Sequence, residues 1–349
     1  MHKIVQLPYS SLELGMLLVV AFASFFGTYS YRRFALRHAV IAKVSFRSLH
    51  ARAVPRGGGI ALAGAFLIGA LAIWKFDGMP TWLMLSIGLG GAAAAAIGFI
   101  DDAYEISAID KLLAQVCLAF GNFAICFESL YVPYFGAFGD ALPIVLTLVC
   151  LFTSVWFINM YNFIDGADGM AAGGAVYICI AAIAVLTLNG GDRNISYAFA
   201  LLAASGLGFL PFNLPPASVF MGDAGSIFLG YCLGSLLLVT AVQGQISVWT
   251  WIAILGYFIG DTTTTGAYRL LFVKKWYGVH RSHAYQNLAR ILDSHAKVSY
   301  GIALYHALWA LPLAVWSAVD PSKGPLAASL SLGPAVLWTL RFGPRLSSD

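Results

Sequence analysis

Residues 141–170 read ALPIVLTLVCLFTSVWFINMYNFIDGADGM. The run carries no charge until Asp165, and Asn159, Asn162, Asp165 and Asp168 arrive three residues apart. An apolar stretch of about 20 residues is long enough to cross a bilayer as a helix. Residues three apart are neighbours on a helix, so the four polar groups form a slowly turning stripe that Gly166 or Gly169 interrupts. Such a stripe is costly beside lipid. The stretch therefore reads as a spanning helix whose end carries chemistry.

The same pattern fills the chain. Of 349 residues 60% are hydrophobic, and only 20 Lys or Arg and 16 Asp or Glu are charged. Soluble domains carry about 25% charged residues, so a soluble globular protein is excluded. Disorder needs low hydrophobicity and high charge and is excluded too. Apolar stretches stand near 11–30, 57–75, 81–100, 112–128, 142–160, 172–189, 197–212, 224–241, 248–268, 298–319 and 325–341. None alternates as barrel strands do. The expected fold is an all-α integral membrane protein, a polytopic bundle of about 11 transmembrane helices in a single domain, 1–349. Cys117, Cys126, Cys150, Cys179 and Cys232 lie inside apolar runs without Cys-x-x-Cys spacing and read as core or lipid-facing residues.

Lys and Arg set the expected orientation. Arg32, Arg33, Arg37, Lys43, Arg47, Arg52 and Arg56 follow the first stretch, and Arg269, Lys274, Lys275, Arg281, Arg290 and Lys297 follow the ninth. Lys111, Arg341 and Arg345 share that side, against Lys3, Lys75, Arg193 and Lys323 on the other. The crowded side is expected to be cytoplasmic, with the N-terminus outside and the C-terminus inside. A signal peptide would carry its positive charge before the apolar run; here the charge follows it, so an uncleaved first span is expected.

The acids gather at the same face. Asp101 and Asp102 close the third stretch in GFIDDAYEIS, Asp223 opens the eighth in VFMGDAGS, and Asp261 lies late in the ninth in IGDTTTTGAYR. With Asn159, Asn162, Asp165 and Asp168 they form one expected acidic site at the inner surface. Crowded carboxylates repel, and a divalent cation relieves the repulsion. Oxygen-only ligands suit Mg²⁺ or Mn²⁺, and Mg²⁺ shares its sphere with substrate phosphates. Plainer readings exist for single residues. Asp101 and Asp102 could be solvated helix-end residues, Asp223 an N-cap after Pro211, Pro215 and Pro216 have broken the preceding helix, and Asp261 a partner of nearby hydroxyls.

Basic groups complement the acids. ARAVPRGGGIAL sets Arg52 and Arg56 before three glycines whose amides could cradle an anion, or whose small size could serve helix packing. KKWYGVHRSHAYQNLAR offers Lys274, Lys275, His280, Arg281, His283 and Arg290 for a phosphate or nucleotide. His50 adjoins the glycine loop.

These motifs, from PRGGG at 55–59 to HRSH at 280–283, make the chain resemble the polyprenyl-phosphate N-acetylhexosamine-1-phosphate transferases. The resemblance implies transfer of a sugar-1-phosphate from a UDP-sugar to undecaprenyl phosphate, with release of UMP, in the bacterial inner membrane. It implies Asp223 as a Mg²⁺ ligand with Asn162 or Asp165 beside it, and Asp101 or Asp102 orienting or deprotonating the lipid phosphate. Asp165 and Asp168 join the catalytic set. Arg56, Asn159, Lys274, His280, Arg281 and His283 are the expected substrate-binding residues. Expected partners are the UDP-N-acetyl sugar, undecaprenyl phosphate and membrane lipid, with a homodimer as an open assembly and no nucleic acid. Arg281 and Ser282 depart from the family's usual His-x-His-His group and resemble its O-antigen-initiating branch, whose donors include FucNAc and QuiNAc as well as GlcNAc. FRSLHARAVPRGGG lacks the acidic-Pro-Asn lead of many members. Direct attack by the lipid phosphate needs fewer roles than a phospho-aspartate route. The rival class is an ion-coupled transporter, whose site would lie near the bilayer midplane.

Overall fold

The computed structural model describes residues 9–38, 54–134, 141–274 and 280–346. His50, Arg52 and Lys275 lie outside them. Among the described residues there are helices and no strands. In chain order they are α1 (Ser11–Arg37), α2 (Gly59–Phe76), α3 (Thr81–Tyr104), α4 (Ala108–Tyr134), α5 (Ala141–Ile164) and α6 (Met170–Asn189). Then follow α7 (Arg193–Asn213), α8 (Gly222–Val242), α9 (Val248–Phe272), α10 (Ala284–Ile291), α11 (His295–Val319) and α12 (Gly324–Phe342).

Every apolar stretch of the sequence is thus a helix, and the short α10 is added. Nine of the described helices are long and apolar enough to cross a membrane. α9, the short α10 and α12 fall outside that group. α9 carries Asp261 and five threonines, four of them consecutive, and α12 contains two each of Ser, Gly and Pro. These two helices lie along each other. A Cβ at Gly256 would strike Ser331, and one at Gly260 would stand 2.6 Å from that of Ala335. Small residues four apart let the backbones approach, and the Ser331 hydroxyl donates to the Ala253 carbonyl at 2.7 Å.

α8 is the axis of the bundle. Its most apolar window is 83% buried, against 22% for α1, and α2, α3, α4, α5, α6, α7 and α9 all touch it. α3 contains a wide π-turn over Met84–Leu89, where the Tyr231 hydroxyl of α8 donates to the Ser86 carbonyl at 3.1 Å. A neighbouring hydroxyl meeting a backbone carbonyl at such a turn is what a dry interior requires.

Helix ends follow local chemistry. Ser10 and Glu13 form a reciprocal capping box at α1, and Asp192 caps α7 through the amides of Asn194 and Ile195. The chain is non-helical over 214–221, as the three prolines led the sequence reading to expect, although Pro211 itself is still helical. It sits in the last turn, and the helix ends at Asn213 before Pro215 and Pro216.

Candidate active site

α8 begins at Gly222, whose φ is +73°. Its first amides, those of Asp223 and Ala224, donate to the two carboxylate oxygens of Asp102 at 3.0 Å each. Asp223 is therefore not the cap of its own helix. The capping carboxylate comes from the end of α3, where negative charge suits the helix dipole. This frees the Asp223 side chain to face the site.

Two cations from separate helices close the cluster. Arg56, ahead of α2, places Nε 3.0 Å from Asp102 and a terminal nitrogen 2.8 Å from Asp223. Lys111, in the first turn of α4, pairs with Asp101 and reaches Asp223 at 2.7 Å. Asp101, Asp102 and Asp223 are thus brought together, and each is already matched to a positive side chain. Arg56 remains about half exposed. Burial works against its charge, but Asp102 and Asp223 outweigh burial and strengthen its hold on the proton.

The glycines after Arg56 do not form an open anion cradle. Gly58 and Gly59 donate to the carbonyls of Phe220 and Met221, and Phe220 donates to Pro55. A Cβ at Gly59 would strike Gly225 of α8. The triplet serves close backbone packing, the plainer of the two sequence readings. Gly57 has φ +92°, and the Tyr31 hydroxyl of α1 donates to the Arg56 carbonyl.

The Asn/Asp motif divides. α5 ends at Ile164, so Asn159 and Asn162 are helical while Asp165 and Asp168 lie on the turn beyond. Asn162 donates to the Ser226 hydroxyl of α8 at 2.9 Å. Asn159, one turn deeper, donates to Gln115 of α4 at 2.6 Å and to the Val155 carbonyl. The Asp165 amide donates to the Asn162 carbonyl at 3.3 Å, but its side chain has no hydrogen-bond or ion-pair partner among the described residues. Burial, and then the charge of Asp223, push its carboxyl well above the usual carboxylate range, while Arg56 opposes them. Asp168 turns to the opposite side of the loop. It accepts from the Ala217 amide at 2.9 Å, stands 3.7 Å from His295, and its carbonyl accepts from Ser299. Its contacts hold the α5–α6 turn against α11.

The HRSH group lies across from Asp165. The Tyr285 hydroxyl donates to the Phe163 carbonyl at 2.6 Å. The Phe163 ring sits 6.1 Å from the His280 ring and 5.7 Å from the His283 ring. His280 Nδ1 and the Ser282 hydroxyl are 2.9 Å apart. The Arg281 carbonyl accepts from Arg290 at 2.8 Å. Lys274 is exposed beyond α9 and makes no ion pair among the described residues. His283 pairs with Asp261, away from the α3–α8 cluster.

Sequence reasoning counted Lys111 only as a basic loop residue. The sign that could have raised it is its spacing from Gln115, one helical turn on: Lys111 meets two acids and buried Gln115 meets Asn159. Among the described residues no three His, Cys, Asp or Glu side chains form a ready metal cage. Arg56 and Lys111 hold the carboxylate oxygens instead.

The model of glycosyl transferase family 4 matches residues 84–241. A "Probable undecaprenyl-phosphate N-acetylglucosaminyl 1-phosphate transferase" of Bacillus subtilis (strain 168) is 33% identical over 273 residues, 76% of this chain and 74% of the relative. The chain belongs to the polyprenyl-phosphate N-acetylhexosamine-1-phosphate transferase family. The "Decaprenyl-phosphate N-acetylglucosaminephosphotransferase" of Mycolicibacterium smegmatis is 28% identical over 94% of the chain and 88% of its own length. A "Phospho-N-acetylmuramoyl-pentapeptide-transferase" of Chlamydia trachomatis is 34% identical over 209 residues, 52% of the chain and 59% of its own length. The family match spans α3 to α8, hence Asp101, Asp102, Lys111, Asn162, Asp165 and Asp223 of the transferase. As a multi-pass membrane phosphotransferase it is an enzyme, and the transporter alternative is set aside.

Proposed function

We propose that the transferase moves an N-acetylhexosamine 1-phosphate from a UDP-sugar to undecaprenyl phosphate and releases UMP. The donor sugar is GlcNAc or a deoxy sugar such as FucNAc or QuiNAc. The step opens O-antigen or a related envelope glycan at the cytoplasmic face of the inner membrane, with the N-terminus outside. The observation that carries this reading is the shared hold of Arg56 and Lys111 on Asp101, Asp102 and Asp223, beside an unpaired Asp165. Such a site has cations for phosphates and acids for a metal. The relatives' names support the polyprenyl-phosphate acceptor and the amino-sugar donor.

The donor set fits a hard divalent ion: carboxylate and amide oxygens without thiolates. Four carboxyl groups face two cations, and the Asp165 side chain, held toward its neutral form without a cation of its own, would be relieved by a divalent ion. Asp223, with Asn162 or Asp165, would hold Mg²⁺ or Mn²⁺. When bound, the ion supplies Lewis-acid neutralisation of the donor's diphosphate.

The chain's own residues account for positioning. Asp101 or Asp102 would orient the lipid phosphate and, where it carries a proton, accept it. Arg56, half exposed, can leave Asp102 or Asp223 for a phosphate oxygen. His280, Arg281 and His283 line the donor side. A lipid phosphate oxygen attacks the β-phosphorus of the donor. The bond to the bridging oxygen breaks, and UMP leaves with that oxygen. Phosphoryl transfer of this kind is mostly positioning and charge neutralisation.

The test is UMP release from purified protein with undecaprenyl phosphate, Mg²⁺ and a panel of UDP-N-acetyl sugars. EDTA and Asp223→Asn are the controls. Metal-dependent release with one donor, abolished in the variant, is expected. Absence of release with every donor from folded protein would overturn the reading.

A further inference from the structure

Asp261 is the acid that the reaction above leaves without a task. It is fully buried in α9, and a carboxylate is costly inside a membrane helix unless it has work or partners. One oxygen, Oδ1, is satisfied: the Ala284 amide at the start of α10 donates to it at 2.9 Å, and Thr265 at 3.4 Å. The other, Oδ2, is buried without a hydrogen-bond partner.

His283 stands next to it. Its ring is 3% exposed, Nδ1 lies 3.7 Å from Asp261 Oδ1, and neither ring nitrogen has a hydrogen-bond partner. The Tyr257 hydroxyl of α9 is also buried and unpartnered. Phe163 and Tyr285 bracket the imidazole at 5.7 and 5.8 Å between ring centres. The ring is therefore held by aromatic faces and one carboxylate, on the side of the α5–α6 turn that carries Asp165.

From this geometry we infer that Asp261 is a positioning residue that sets the orientation of His283 toward the donor's phosphates; this rests on the donor-side reading of His283 given above. A carboxylate on the Nδ1 side orients the ring, and Nε2, buried without a hydrogen-bond partner, is left for the donor to meet as it enters the site. The 3.7 Å separation is within ion-pair range but too long for a hydrogen bond, and such pairs tighten when the substrate is bound. The Ala284 contact couples the two roles, because the same oxygen docks α10 and so places His283, its N-terminal neighbour.

The test is a double-mutant cycle in the full-length protein. Asp261→Asn keeps an acceptor for Ala284 and removes the charge. It is expected to raise KM for the UDP-sugar about tenfold and to leave KM for undecaprenyl phosphate within about twofold. Asp261→Asn combined with His283→Ala is expected to be no worse than His283→Ala alone. An unchanged donor KM, or losses that multiply, would overturn the inference. Asp261→Glu retains the charge and should keep donor KM within about threefold; should Asp261→Asn fail to fold, a tenfold rise in Asp261→Glu would overturn it. A substrate-free readout separates the two proposals. In ¹⁵N-histidine-labelled protein, the resonance that disappears in His283→Ala should shift in Asp261→Asn. An unmoved resonance sinks the positioning role. A shifted resonance in a protein that releases no UMP from any donor sinks the donor reading instead.

Discussion

Asp102 and Asp223 are joined twice: the Asp223 amide donates to Asp102 Oδ1 at 3.0 Å, and Arg56 bridges both carboxylates. Asp102 therefore caps α8 and neutralises part of Arg56 with the same group. Asp102→Ala leaves two first-turn amides without their acceptor and frees Arg56. Orphaned donors cost about 1–3 kcal/mol, so lower thermal stability is expected along with lost activity. Asp101→Ala leaves the cap intact and is expected to lose activity with a smaller drop in melting temperature. Thermal unfolding of both variants in detergent checks the contrast.

Lys111 competes with any cation for Asp101 and Asp223. Lys111→Met removes that competitor, so Mn²⁺ is expected to bind more tightly, by several-fold in an electron paramagnetic resonance titration. UMP release is expected to fall by about a hundredfold, the scale for losing one charge-stabilising group at a reacting centre. Weaker Mn²⁺ binding in the variant would show that Lys111 shapes the acids for the metal rather than opposing it.

Asp165 gives a pH signature. Its folded-state pKa lies above the unfolded value because burial and Asp223 disfavour its charge. Above about pH 4, the ordinary carboxylate value, the unfolded chain has lost a proton that the folded protein keeps. Metal-free stability therefore falls as pH rises through that window, until the folded group also ionises. Asp165→Asn is expected to flatten the profile and raise the metal-free melting temperature at pH 7, by roughly 2–4 °C per kcal/mol relieved, while activity drops. Melting curves from pH 4 to 8 decide it.

Gly222 allows the turn into α8. At φ +73° a side chain is strained, and a Cβ would stand 2.5 Å from Asp102 Oδ2 and 2.9 Å from Gly57. Gly222→Ala is expected to cost at least about 1–3 kcal/mol and to abolish activity. Gly64→Ala, on a face of α2 with nothing within 4 Å, is the matched control and should leave melting unchanged or slightly raised.

All the helices but α10 were readable because each is a long apolar run with few charges, and Asp101, Asp102, Asp165 and Asp223 stood out because each lies where such a run ends or opens. What sequence could not show is how the turns fold. Asp168 continues the three-residue rhythm of Asn159, Asn162 and Asp165, yet α5 stops at Ile164 and the chain swings Asp168 toward Ala217 and His295. The PRGGG amides looked open because the strip that pairs with them, Phe220–Met221, lies far along the chain. Lys111 was hidden by its likeness to any basic residue at a membrane boundary. The Asp261–His283 pair joins two motifs separated by the α9–α10 connection, so neither motif announces the other.

The Pro55–Phe220 pairing also bears on biosynthesis. When the ribosome has delivered α2, the strip that seals its leading turn is still untranslated, and α3 to α7 must enter the membrane first. Arg56 has no Asp223 to meet during that interval. Chains that stall before α8 would carry Asp101, Asp102, Asp165 and Asp168 but lack Asp223, and are expected to stay catalytically silent, so that a half-made enzyme does not draw down the lipid carrier.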